Sequence, residues 1–264
     1  MRTNLLIERE GATERWTLNN PETRNALSED MVEALFAACE RSGADSSLRF
    51  IVLRGTGGSF CAGGSLGSFS RTIGKSLPEG ESDPLIPMST RFGQLLQTLC
   101  QLPQILIAQV EGAAMGGGFG LVCCADFILA ADNAVFATPE VTLGIVPAQI
   151  APYVQLRLGD KAARRILFSG KHYSATEMQT LGLVDEVHPA PHLTTAVQQS
   201  IQSLSPAAPR AVASAKALLF MPFEHIPPAI TAQAAIKFAA SLRSSEASEG
   251  LQAFAQKRKA TWNV

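Results

Sequence analysis

Short runs of apolar and β-branched residues, or strict apolar–polar alternation, recur at Leu5–Glu8, Ala12–Leu18, Phe50–Arg54, Ile105–Val110 and Phe127–Ala130. A period of two, or a brief continuous apolar run, predicts strands. The period changes to that of a helix over Glu29–Arg41 and Arg91–Leu99. Ser28 precedes the first of these, with Glu29 and Asp30 in the first turn, which is the chemistry of a helix N-terminus. Strands that alternate with helices predict an α/β chain built on right-handed crossovers. From Gly67 to about Pro87 the chain is rich in Gly, Ser and Pro and predicts a long loop, a candidate mobile lid. Beyond Pro147 the pattern turns helical, and from Pro206 onward Ala, Lys, Arg and Glu dominate. The expected organisation is a core over residues 1–200 and a helical C-terminal region over residues 201–264.

Composition changes this picture only by exclusion. A chain of 264 residues suits one α/β domain with a helical appendage. Its 22 basic and 23 acidic residues give a formal net charge of -1, so no global field recruits nucleic acid or an anionic membrane. Cys39, Cys61, Cys100, Cys123 and Cys124 are odd in number and lack metal-type spacing, which fits reduced thiols acting as small hydrophobes. The N-terminal stretch MRTNLLIEREGATERW carries no apolar core of signal length, and no apolar run reaches the roughly 18 residues of a membrane span. The expectation is a soluble cytoplasmic protein with no nucleic-acid or membrane partner. The four histidines, His172, His188, His192 and His225, form no zinc pattern, and no metal is expected.

Two Gly-rich segments follow predicted strands, FIVLRGTGGSFCAGGSL and ILIAQVEGAAMGGGFGL. At a strand–turn–helix junction the first backbone N–H groups of the helix lack partners and can hold an anion or a developing oxyanion. For a Gly triplet taken alone, simple close packing without a ligand is the favoured reading. Neither segment has the P-loop or dinucleotide spacing.

Six segments carry a resemblance, in chain order: NNPETRNALS, SFCAGGSL, VEGAAMGGGFGL, ATPEVTLGIVP, SATEMQTLGLVDEV and EGLQAFAQKRKATW. Together they resemble the landmarks of the crotonase, or enoyl-CoA hydratase/isomerase, family across nearly the whole chain. The resemblance implies an α/β crotonase (ClpP-like) spiral of ββα turns with a C-terminal helical trimerisation region, assembled as a homotrimer or a dimer of trimers. It implies an acyl-CoA thioester as substrate and no cofactor, since coenzyme A belongs to the substrate. By motif position, the N–H groups of Gly64 and Gly117 form an oxyanion hole for the thioester carbonyl. Arg24, Ala26 and Ala62 match positions lining the CoA pocket of relatives. Lys257 and Arg258 match a basic cluster able to reach phosphates, although a solvated helix face accounts for them as well.

Well-known hydratases of this family carry two glutamates that orient water and shuttle a proton. Here the first position is Gly120 and the second is Glu140. Glu140 is the expected catalytic residue, and the vacancy at Gly120 is counted with the substrate-binding positions. One glutamate suits a hydratase, in which it activates water and returns the proton to Cα. It suits equally an isomerase, in which it moves a proton between carbons. The stretch VPAQIAP replaces the usual Gly-rich continuation and, with GGGFGL, looks like the branch that hydrates β-branched glutaconyl-CoA thioesters, isohexenylglutaconyl-CoA and 3-methylglutaconyl-CoA hydratases among them. The second carboxylate of such a substrate needs a cation or several donors, and Arg71 and Arg91 flank the variable loop. Ser65 stands where relatives usually have Asp, which alters side-chain support for the first turn. A non-catalytic acyl-CoA-binding or scaffolding member is the alternative from another class.

Overall fold

The computed structural model describes residues 3–65, 72–220 and 228–262. Strand β1 (Leu5–Glu10) turns back through Gly11, at φ 58°, onto β2 (Thr13–Leu18) in an antiparallel pair with Glu10 opposite Thr13. From β2 the sheet continues in parallel through β3 (Phe50–Gly55), β4 (Ile105–Val110), β6 (Phe127–Ala131) and β9 (Glu186–His188). Phe50–Leu53 and Ile105–Ala108 are buried throughout, as expected of parallel strands covered on both faces. A second, three-stranded sheet is made by β5 (Ala113–Met115), β7 (Val135–Ala137) and β8 (Tyr173–Ser174).

Helix α1 (Glu29–Gly43) starts as its sequence predicts: the Ser28 hydroxyl accepts from the Met31 N–H at 3.2 Å. Its apolar face, including Met31, Leu35 and Phe36, joins the main core with Trp16, Leu53 and Leu106. Helix α2 (Leu85–Gln101) is longer than the pattern predicts and begins inside the expected loop. Pro84 and Pro87 mask its start, but a first helical turn needs no intrahelical N–H, so Pro is tolerated there. The Asp83 carboxylate accepts from the Leu85 N–H at 3.0 Å. Helices α3 (Gly117–Cys123), α4 (Ala151–Ser169, broken at Gly159) and α5 (Ala175–Thr180) follow. Helix α6 (Leu193–Leu204) covers the other face of the large sheet with Leu193, Ala196 and Val197.

The C-terminal region forms α7 (Pro209–Phe220), α8 (Pro228–Leu242) and α9 (Ser245–Ala255). Ala239, Leu242 and Ala247 build a separate small core with Leu85 and Ile145. The expected lid is tied to this region rather than free over its described part. Arg243 donates to both Asp83 oxygens at 2.5 and 2.9 Å and to the Lys75 carbonyl at 3.0 Å, while the Gly74 N–H donates to Leu242. The first part of the predicted loop, with Arg71, lies outside the described residues. No described helix is long and apolar enough to cross a membrane.

Candidate active site

The first Gly turn is held between two other segments. The Cys61 N–H donates to Ala113 and its carbonyl accepts from Met115, which laces the turn to β5. On the opposite side the Ala62 N–H donates to Arg24, the Leu27 N–H donates to Gly63, and the Ser65 N–H donates to Leu27. Arg24 and Asn25 both take left-handed backbone angles. Buried Asn25 stabilises that bend, because its side-chain amide donates to the Thr56 and Ser59 carbonyls at 2.9 and 2.7 Å and its oxygen accepts from Asn20 N–H. The NNPETRNAL segment therefore acts as a clamp that fixes the turn after β3.

The second turn enters α3 through Gly116, at φ 50°, whose N–H donates to Ala137. At Gly63, at φ 90°, a methyl group would lie 2.7 Å from the Met115 carbonyl oxygen and 3.5 Å from the Gly117 nitrogen. Only glycine allows the two turns to meet this closely. Among the described residues, no intrachain hydrogen bond uses the N–H of Gly64 or Gly117. Both residues line one cavity of about 550 Å³.

Glu140 lies on the same cavity, in the 3-10 turn Pro139–Leu143. Buried Thr138 anchors the turn's entry by donating to the Ile166 carbonyl at 3.1 Å, and the Ile145 N–H ties its exit to the Glu140 carbonyl. A methyl on Gly116 would sit 2.7 Å from Glu140 Oε1, so the carboxylate rests directly on the glycine turn. Oε2 is shielded from solvent and has no hydrogen-bond partner among the described residues. Burial raises the Glu140 carboxyl to about pKa 7, only partly opposed by its own backbone N–H. A carboxyl of this kind is present in both protonation states near neutrality, as proton transfer requires.

Leu27, Phe92, Ile145, Ile150 and Leu242 make the cavity wall predominantly apolar. At its rim stand Glu29, Glu33 and Arg91. Arg91 forks onto Glu33 with both contacts at 2.6 Å and lies 3.5 Å above the Phe36 ring. Among the described residues, no three His, Cys, Asp or Glu side chains are grouped to hold a metal. Burial pushes the Cys61 thiol up to about 12, leaving it a packing residue beneath Gly118.

Of the positions expected from the sequence, Gly64, Gly117, Glu140 and Ala62 come together on the cavity. Gly120 does not: its helix position is buried and its would-be Cβ lies 2.4 Å from Ile150 Cγ2, so there is no vacancy for substrate. Arg24 is exposed, and neither it nor Ala26 lines the cavity, although the Arg24 carbonyl braces the first turn. Lys257 and Arg258 are exposed and also lie off it, with the Arg258 guanidinium occupied by Glu249 at 2.7 and 2.8 Å. Leu27, Phe92 and Ile150 were not singled out by sequence reasoning. Their apolar character marks them as core, and only their tertiary placement makes them cavity wall.

Fold and site together place two backbone N–H groups that no described residue uses on the same largely apolar cavity as the buried Glu140 carboxyl. A profile of the enoyl-CoA hydratase/isomerase family matches residues 8–264, and the chain belongs to that family. Among solved structures it is similar to an enoyl-CoA hydratase/isomerase from Marinobacter aquaeolei, at 40% identity, 98% coverage of both chains and a TM-score of 0.78. Pseudomonas aeruginosa AtuE is 39% identical, with coverage of 99% of this chain and 100% of that one and a TM-score of 0.78. A 2,3-dehydroadipyl-CoA hydratase of Escherichia coli is 30% identical over 257 residues, 97% of each chain.

Proposed function

We propose that this chain is an enoyl-CoA hydratase that adds water across the α,β double bond of a β-branched, glutaconyl-type acyl-CoA, of the kind taken by isohexenylglutaconyl-CoA or 3-methylglutaconyl-CoA hydratases. The observation that carries the hydratase reading is Glu140, a buried carboxyl raised to about pKa 7 whose Oε2 has no partner among the described residues, on the same cavity as the Gly64 and Gly117 N–H groups. In its ionised form Glu140 takes a proton from water as the oxygen bonds to Cβ. The electron pair of the double bond moves onto the thioester oxygen, held by Gly64 and Gly117. Glu140 then returns that proton to Cα, and the sum is one water added. Each fixed donor at such an oxygen typically contributes about 3 kcal/mol of barrier lowering.

Two features support the glutaconyl-type substrate. Arg91 stands at the rim and is the cation nearest in kind to a distal carboxylate, which would take the place of Glu33 on its fork. The Escherichia coli relative is named for a thioester whose acyl group ends in a second carboxylate. A homotrimer or dimer of trimers is proposed on the apolar surface of the C-terminal helices, where Leu218, Leu219 and Phe254 are 66%, 76% and 66% exposed. A monodisperse monomer in light scattering at micromolar concentration contradicts that assembly.

Isomerisation is the second reading, favoured by the same lone carboxyl, because moving a proton between carbons needs only one. Incubation with a panel of straight, branched and dicarboxylic enoyl-CoAs separates the possibilities. Loss of conjugated thioester absorbance with a product heavier by one water is the expected result. Unchanged product mass means isomerase, and binding without turnover means a scaffold. Arg91→Leu is expected to lower kcat/KM for dicarboxylic substrates by about tenfold or more, with little change for monocarboxylic ones. Equal effects on both remove Arg91 from the specificity assignment.

A further inference from the structure

Two glycines at helix α3, Gly116 just before it and Gly120 within it, are covered by opposite chemistries. Gly116 and Gly120 are linked by the Gly120 N–H donating to the Gly116 carbonyl at 3.0 Å, so they stand one helical turn apart. The Glu140 carboxyl covers the first, and the Ile150 side chain covers the second. A methyl on Gly120 would meet Ile150 Cγ2 at 2.4 Å, Ile150 Cβ at 3.2 Å and Leu96 Cδ1 at 3.7 Å. None of these atoms offers a hydrogen-bond donor to a carboxylate, whose burial there would go uncompensated.

Ile150 is not free to swing away. It is 3% exposed, it occupies the N-terminal cap of α4, and its carbonyl accepts from the Val154 N–H at 3.0 Å. Its neighbour Gln149 is pinned by donating to the Ser89 hydroxyl and the Thr231 carbonyl, both at 3.2 Å. Two departures of the sequence, a glycine at position 120 and the VPAQIAP stretch, are thus halves of a single packing arrangement.

We propose that Ile150 is the specificity-determining residue of this site: it seals the Gly120 turn against a second carboxylate and gives the cavity an apolar wall that accepts an alkyl substituent on the β-carbon of the thioester. The substrate side of this proposal rests on the acyl-thioester reading above, whereas the seal does not. A polar substituent or an ordered water finds no partner in the Ile150 side chain, while a β-methyl or longer branch gains dispersion contact with it.

The test is a stability cycle joined to a selectivity ratio. Gly120→Ala, Ile150→Ala and the double variant are made, and thermal unfolding is measured for each. Alanine is the better helix former, so without the clash Gly120→Ala should raise Tm. The expected result is a fall of several degrees in the parent background and a rise, or no change, in the Ile150→Ala background. The same Tm change in both backgrounds overturns the seal. For specificity, the ratio of kcat/KM for 3-methylcrotonyl-CoA to that for crotonyl-CoA is compared between the parent and Ile150→Ala. A drop of about tenfold is expected, the scale of a lost methyl-sized contact in a pocket. An unchanged ratio overturns the specificity role. If the parent turns over neither thioester, the catalytic reading fails by itself, and calorimetric affinities for the same pair, with the same expected ratio, decide the role of Ile150.

Discussion

Glu14 and Glu140 are both shielded glutamates, and the protein treats them in opposite ways. Glu14, 5% exposed on β2, receives three donors on one oxygen: Trp16 Nε1 at 2.8 Å, Arg41 at 2.9 Å and the Ser42 hydroxyl at 2.7 Å. Burial alone would raise its pKa, but the Trp16, Ser42 and Arg41 contacts outweigh that effect and hold it below the usual carboxylate range. Glu140 receives no partner on Oε2 among the described residues, burial acts nearly unopposed, and its pKa rises to about 7. A carboxyl held by three donors is a structural brace. One whose Oε2 is left without a partner among the described residues carries a stability penalty, which fits the proton transfer proposed for it.

The comparison breaks most visibly in turnover. Glu140→Gln keeps the volume and removes the proton exchange, so a loss of at least about 10²-fold in kcat is expected, with thioester binding retained in calorimetry. Glu14→Gln should leave kcat per folded molecule essentially unchanged. Its effect lies in stability: losing the charged acceptor of a buried network should cost on the order of 2 to 3 kcal/mol in denaturant unfolding. A Glu14→Gln protein of parental stability would show that the network contributes nothing.

The pH dependence sharpens the contrast because the signs differ. Glu14 has a folded pKa below its unfolded value of 4.5, so its contribution is present above that value and is lost as pH falls through the folded pKa. Glu140 has a folded pKa of about 7 against 4.5 unfolded, so the native state holds the proton more tightly. Stability from this group is therefore full below 4.5 and declines as pH rises from 4.5 to about 7. Removing the ionisable group lifts the penalty. Glu140→Gln is expected to be more stable than the parent above neutrality, by on the order of 2 kcal/mol, while being far less active. Equal stability of the two proteins across the pH range contradicts the penalty.

The smallest effect concerns a carboxylate at the surface. Glu249 is held well down, to about pKa 2, chiefly by the Arg258 fork, with the Thr261 N–H adding to it. Despite that shift, the pair is largely solvent-screened, and Arg258→Ala should leave stability in denaturant unfolding little changed. CoA affinity should change by no more than about twofold, because Arg258 lies off the cavity that Gly64, Gly117 and Glu140 line. A tenfold loss of CoA affinity would return Arg258 to the binding site.

The large sheet and α1 are readable in the sequence because burial of whole strands writes long apolar runs, and because Ser28 with Glu29 and Asp30 is local capping chemistry. The strands Ala113–Met115, Val135–Ala137 and Tyr173–Ser174 are too short to show a period. The start of α2 is hidden by Pro84 and Pro87, which read as loop residues while being compatible with a first helical turn. The resemblance of their segments is what marks Gly64, Gly117 and Glu140, and the three line one cavity. The cover of Gly120 by Ile150 was not legible in the sequence, since nothing local to either segment reports that they touch. The same holds for the Arg91–Glu33 fork, which joins two helices distant in sequence.

Glu140 is buried, with Oε2 unpartnered among the described residues and its pKa raised to about 7. Its titration is read most directly by carboxyl C=O infrared difference spectra between the parent and Glu140→Gln across the acidic to neutral range. A single protonated-carboxyl band, absent from the variant and disappearing with a midpoint near pH 7, is the predicted result. A midpoint at the ordinary value of 4.5 would contradict the account, because Glu140 would then be a solvated carboxylate like any other.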